Sequence, residues 1–306
     1  MTSLRDEANR AAPGLVSGAA RRLGARTILV LSRLTFLEAS RRKVLWAGLL
    51  LGVLFLVVYG LGFHFARLDV ERSLQRRSGI AQTALYEALN FFTLAGLYAA
   101  NMMGVAMSIL ASVDTLSGEV ASGTIQTLVT KPVRRWQVVA GKWLGLALLL
   151  TLYVLLLAGG TLGVVYLIAG HLPPNAWQGL GLLWLNAMLF LSISLWGGSF
   201  LSTLANGAVA FGLYGVAFVG GWIEQIGALL DNQAAVNVGI ISSLIIPGEA
   251  LWKRAAGLMQ SPLAAAAGFS PFTSSSLPSP LMVYYAVLYA ALMLAWAVRL
   301  FDRRDL

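Results

Sequence analysis

The chain alternates long charge-free stretches with short polar ones, and the lengths of the apolar stretches carry the first inference. Residues 44–66, between Lys43 and Arg67, hold no Asp, Glu, Lys or Arg, and neither do residues 88–113, between Glu87 and Asp114. Each run is long enough for the roughly 20 helical residues that cross a bilayer core, which predicts spans one and two. From Lys142 to Glu224 there is no charged side chain at all. As one helix that segment would be about four times the hydrocarbon thickness, so it must fold back. HLPPNAW at 171–177 brings a Pro pair that ends a helix, and STLANG at 202–207 reads as a short polar turn. Spans three to five are therefore expected at 142–169, 177–201 and 207–226. The last charge-free run, 255–298, opens with GFSPFTSSSLPSP, which suits no spanning helix, so the sixth span is expected at about 280–300. The predicted fold is an all-α membrane protein of six transmembrane helices.

Composition agrees: 58% hydrophobic against 11% charged residues in 306 is too apolar for a soluble surface. Lys and Arg outnumber Asp and Glu by 22 to 13, an excess that the positions explain without nucleic acid. With the N-terminus in the cytoplasm, 16 of the 22 basic residues fall on the cytoplasmic side, the bias that orients membrane proteins. Both termini are then cytoplasmic, residues 1–43 and 301–306 are cytoplasmic segments flanking a 44–300 six-helix transmembrane domain, and residues 67–87 form a short solvated external segment. The absence of cysteine removes disulfides, thiolate metal sites and thiol catalysis. Nothing before Lys43 resembles a cleavable signal peptide, so span one is expected to act as its own insertion signal.

Two segments beside the spans have patterns of their own. Residues 19–43 can form an interfacial helix, with Arg22, Arg26 and Arg33 within about 40° on a helical wheel and Ile28, Leu31 and Leu34 opposite. Leu29 and Phe36 blur that division, and a plain cytoplasmic anchor is the alternative. The loop GEVASGTIQTLVTKPVRRWQVVAGK at 118–142 is basic and punctuated by Gly and Pro between two spans. Thr124 can cap a short helix through Val129, stopped because Lys131 precedes a proline. Pro132 suits the first turn of a second helix that continues through Trp136 and Lys142 into span three. An ordinary positive-inside loop is the plainer reading.

The order Glu119, Gly123, Thr124, Leu128, Pro132, Val133, Arg135, Gly141, Lys142 resembles the pattern E-x3-GT-x3-L-x3-P-[VI]-x-R-x5-GK, which marks the loop after the second span in type-2 ABC transporter permeases. The resemblance extends to the basic N-terminal segment, the six spans, the closing FDRRDL, and IIPGEALWKRA at 245–255, which looks like a Pro-containing external segment between spans five and six. It implies a bacterial plasma-membrane permease subunit, pairing with a second copy or a relative in the lipid. Separate ATP-binding subunits would dock beneath it on the N-terminal helix and the loop, and export of an amphipathic or lipid-like solute would be powered there. The coupling helix would carry Glu119, Gly123, Thr124, Leu128, Lys131, Pro132, Arg134 and Arg135. ATP and Mg would then be held by the partner and no cofactor by this chain.

The chain's own residues agree with the need for such a partner. Gly141-Lys142 is followed by Trp143 and has Trp136 where a phosphate loop needs its first Gly, while Gly118-x4-Gly123 leads to Thr124 rather than Lys. His64 and His171, the only histidines, assemble neither a zinc site nor a Ser-His-Asp arrangement. An ion-coupled secondary transporter is the second functional class; it would need a buried carboxylate, and Glu224, near the outer end of span five, is the one candidate. A non-transporting scaffold is the third. Asn90, Asn101 and Ser108 share a face of span two and either line a cavity or hydrogen-bond between helices. Met102, Met103 and Met107 read as packing. Gly48 with Gly52, Gly141 with Gly145, and Gly159 with Gly163 are spaced for close helix approach.

Overall fold

The computed structural model describes residues 25–75, 81–118, 134–261 and 277–303. Among them the chain is helical throughout. Residues 25–40 form α1, and a break at 41–42 turns it into α2, Lys43–Gln75. There follow α3, Ala81–Ser112; α4, Arg135–Val154; a single π-helical stretch, Leu155–Gly159; and α5, Gly160–Ala169. The remaining helices are α6, Ala176–Gly198; α7, Thr203–Leu229; α8, Gln233–Ile245; α9, Gly248–Met259; and α10, Leu281–Asp302.

Six of these elements are long and apolar enough to span a membrane: α2, α3, the continuous α4–π–α5 rod, α6, α7 and α10. They fall where the charge-free runs put them, with ends that local chemistry explains. Gly170 at φ 75° closes α5 in the left-handed region that side chains other than Gly resist. Asn232 caps α8 by accepting from the Ala235 amide at 3.2 Å. Two boundaries differ from the sequence reading. At about 1.5 Å per residue α2 is about 50 Å long, so it overruns the bilayer and residues 67–75 continue the helix instead of starting a loop. The 202–207 turn is shorter than expected: α7 already begins at Thr203, and Asn206 sits buried inside it.

The larger difference lies between spans five and six. Where the sequence reads only as a Pro-containing external segment, residues 233–259 form two helices bent by 107° at Ile246–Pro247. Pro247 cannot donate to the ladder and α9 restarts after it. The side-chain contacts show that this pair enters and leaves on one side. Asn90 near the start of α3 donates to the Met259 carbonyl at 3.0 Å, and Asn175 just before α6 donates to Leu258 at 3.1 Å. At the opposite end, Arg135 at the start of α4 donates to the carbonyls of Phe301 and Asp302 at the end of α10. The chain therefore crosses an even number of times between Arg135 and Asp302, which makes the bent pair re-entrant and the span count six.

Span four, α6, is the centre of the bundle: 78% of its most apolar stretch is buried, against 11% for α2 and 17% for α10. Leu50, Leu54, Val57, Leu61 and Phe65 of α2 point outward. The paired glycines resolve into different roles. A Cβ on Gly48 or Gly52 would come within 2.9 Å of Met107 or Leu157, so α2 lies close against spans two and three. Gly141 and Gly145 instead receive α1: a Cβ on Gly145 would sit 2.5 Å from the Ser32 carbonyl oxygen. Gly159 and Gly163 have nothing within 4 Å, so the expected close packing is absent there.

Candidate functional site

Two clusters of polar side chains stand out, one at each end of the bundle. The basic end is where α1 breaks, α3 stops, and α4 and α7 begin. Glu119, Gly123, Thr124, Leu128, Lys131 and Pro132 lie outside the described residues, but the residues on either side of that stretch, up to Gly118 and from Arg134, are described. Arg134 is the N-cap of α4, and the Gln137 side chain accepts from its backbone amide at 3.2 Å. That is half of a capping box, since an arginine side chain cannot accept in return. Because α4 starts at Arg135, Pro132 precedes its first turn rather than occupying it. Arg135 puts its guanidinium on the last carbonyls of α10, at 3.3 and 3.0 Å, where a positive charge favours the helix terminus.

The other foot, residues 113–117, is a hub. Lys142, only 5% exposed, donates to the Thr115 carbonyl at 3.2 Å and so ties span three to the end of span two. Asn206 of α7 donates to Val113 at 3.1 Å and to Ser194 of α6 at 2.9 Å. Thr203 donates to the Asp114 carboxylate at 3.0 Å and lies 2.9 Å from the Ser117 hydroxyl. Arg42, held by Glu38 at 2.7 Å, reaches the second Asp114 oxygen at 3.8 Å. Helices α4 and α7 and the α1–α2 corner thus hold the stretch from which the loop departs, and Asn206 carries the contact on to α6. On the neighbouring face α1 is laid against α4 through Ile28, Leu31, Ser32 and Thr35, while Arg26, Leu29, Val30, Arg33 and Leu34 are exposed. The wheel separated Arg26 and Arg33 from Ile28 and Leu31 correctly but placed Leu34 on the wrong face.

The far end is built around α9. Lys253 pairs with Glu224 of α7 at 2.8 Å, with side chains only 4% and 11% exposed. Glu249, one turn earlier on α9, is buried against Gly221. Helices α7 and α8 approach closely enough for this because Gly220, Gly227 and Gly239 lie between them: a Cβ on Gly239 would come 2.7 Å from the Gly220 carbonyl oxygen. Trp252 is buried beneath the pair and meets the Tyr98 ring at 4.9 Å. The C-terminal carbonyls of α9 are capped by Asn90 and Asn175, Ser261 donates from its amide to Asn90 at 3.2 Å, and its hydroxyl meets Glu87.

The candidate polar residues of span two are occupied. Asn90 is the clamp just described, Asn101 accepts from Asn186 of span four at 3.0 Å, and Ser108 donates back to Gly104 at 2.8 Å. Met107 packs against Gly48. Glu224, placed from sequence near the outer end of span five, lies inside protein and is neutralised. The residues missed in the sequence were Lys253, Glu249, Thr203 and Asn206. The first two were readable as charges in an otherwise apolar stretch, but no pattern pointed to a partner inside the bundle.

A family model described as ABC-2 family transporter protein matches residues 29–306, and the chain belongs to that family. It is an integral membrane protein and a permease component of an ABC transporter. A search among curated proteins gives no match.

Proposed function

We propose that this chain couples ATP hydrolysis in a separate ATP-binding subunit to outward movement of an amphipathic or lipid-like solute, as one of two permease subunits in the complex. The basic end is taken as cytoplasmic, because most Lys and Arg residues cluster there. The ATPase docks on α1 and on the loop between Gly118 and Arg134. Nucleotide and Mg belong to that partner.

The observation that carries the reading is the hub. A push on the loop enters residues 113–117, which are bonded to spans three and five and to the α1–α2 corner, and Asn206 of span five is bonded on to span four. Polar contacts of this kind move helices together, whereas a loop attached only at its ends would take up the displacement itself. The poorly buried faces of α7 and α10 offer surface for the second permease copy, and two subunits enclose a path that one six-helix unit does not.

The test is the double substitution Glu119→Ala/Arg135→Ala, measured in vesicles with the ATPase co-expressed. ATP hydrolysis persists while transport falls, because charge-assisted contacts across the loop are lost and the spans still fold. Wild-type values for both would defeat the coupling role and leave the loop as a topology signal.

A further inference from the structure

Against the hub, sharing its Arg42, Asp114 and Thr203, lies a cavity of about 640 Å³. It opens where α1 breaks into α2, and its two ends differ in chemistry. Its rim is Arg42, Lys43 and Asp114; its walls are Leu45, Met107 and Leu110. Its size is within the roughly 300–1,000 Å³ range of small-molecule sites. We propose that it binds an acidic glycerophospholipid of the leaflet at the basic end, with the phosphodiester between Arg42 and Lys43 and an acyl chain against Met107 and Leu110.

Three observations select this occupant. The rim marks the membrane boundary, because the charge-free part of α2 begins at Val44, directly after Arg41, Arg42 and Lys43. Basic residues clustered at that level attract anionic headgroups. Lys43 is exposed and makes no ion pair among the described residues. Arg42 is oriented by Glu38, and five N–H donors leave it able to serve a phosphate as well. The one acid on the rim, Asp114, accepts from Thr203 on one oxygen and lies 3.8 Å from Arg42 on the other, so it is already engaged. Finally, the wall is open to the lipid side: Leu110 is 44% exposed and Val44 46%, while Leu45 and Met107 close the inner face. A soluble anion would satisfy the rim and leave this wall unfilled, whereas a neutral lipid would fill the wall and leave Lys43 unanswered.

The experiment uses the full chain in a mild neutral detergent and follows its thermal unfolding midpoint during titration with phosphatidylglycerol, phosphatidylcholine or glycerol 3-phosphate. Phosphatidylglycerol raises the midpoint at concentrations where the other two do not. Lys43→Gln raises the concentration for half effect by about fivefold, the order expected for one basic residue at an anionic surface. Leu110→Trp, which fills the wall and keeps both charges, weakens the effect at least as much. Neither substitution touches a described ion pair, so both proteins fold. An equal response to phosphatidylcholine, a full response to glycerol 3-phosphate, or unchanged titrations for both variants would each overturn the assignment. The measurement needs no ATPase, so its outcome is separate from that of the coupling test.

Discussion

The two ends of the bundle are held together by different physics. At the basic end the last turns of α3 are tied by a set of hydrogen bonds, most of them to backbone carbonyls, and by one long ion pair to Arg42. At the far end α9 depends on one short ion pair, Lys253 with Glu224, almost fully removed from water. A distributed set of modest bonds yields gradually, because losing one leaves the rest. A buried pair is close to all-or-none: its formation costs nearly what it returns, but removing one partner strands the other charge. The basic end is therefore suited to transmitting displacement, and the re-entrant pair to holding one arrangement until the spans around it move.

The sharpest test of that contrast is Lys253→Met. It leaves Glu224 and Glu249 both buried without a cation and should cost on the order of 3–5 kcal/mol, read as a large fall in the unfolding midpoint and in yield of monodisperse protein. Replacing Glu224 by Gln in the same chain should recover most of the loss, since the carboxylate that Lys253 paired with is then gone. A Lys253→Met protein as stable as wild type would mean that the pair does not hold α9.

Asn206→Leu is the matching test at the basic end. It removes two hydrogen bonds and leaves the Val113 and Ser194 carbonyls without that donor, a loss of about 1–3 kcal/mol. The effect should be smaller than that of Lys253→Met, because Lys142 and Thr203 still hold the hub. If the order of the two is reversed, the contrast between the ends fails.

The contrast also explains which parts of this molecule are legible in sequence. The six spans are, because charges bound the apolar runs, a Pro pair and a polar turn divide the long run between Lys142 and Glu224, and a bilayer imposes its length on any helix that crosses it. The family is legible too, because the residue order at 118–142 resembles a family pattern and a family model matches residues 29–306. The re-entrant pair is not. Helices of 13 and 12 residues are too short to read as spans, and Glu249, Lys253 and Arg254 give residues 248–259 the look of a solvated loop. Lys253 is tolerable in the interior because Glu224, from a different element, reaches it, and a single sequence does not display that pairing. Asn206 was misassigned for a related reason. Serine, threonine and asparagine near Gly read as a turn, but the side chains of Thr203 and Asn206 here satisfy groups on other helices.

A third comparison uses two glycines of one span. At Gly145 an added methyl would meet the Ser32 carbonyl oxygen at 2.5 Å and the Thr35 Cβ at 2.8 Å, so Gly145→Ala must push α1 away from α4. Overpacking of that kind costs about 1–3 kcal/mol, and a crosslink between cysteines introduced at Leu31 and Val138 should form more slowly. Gly163→Ala, with open space around it, should stay within about 0.5 kcal/mol of wild type. Equal effects at the two positions would show that α1 is not seated on span three.

Arg135→Ala should have the smallest effect on stability and is the most informative about the basic end. Its guanidinium caps the final carbonyls of α10 from a partly exposed position, an interaction worth about 0.3–1 kcal/mol, so the unfolding midpoint should hardly move. What should change is local: amide exchange over Arg299 to Asp302 should quicken, because the last turn loses the donors that now cover Phe301 and Asp302. Measured on the permease without its ATPase, that exchange separates two roles for one residue. If Arg135 only contacts the partner, exchange in the isolated chain stays as in wild type. If it closes α10 onto the foot of the loop, exchange rises before any partner is added, and a displacement of that foot has a direct route to the sixth span.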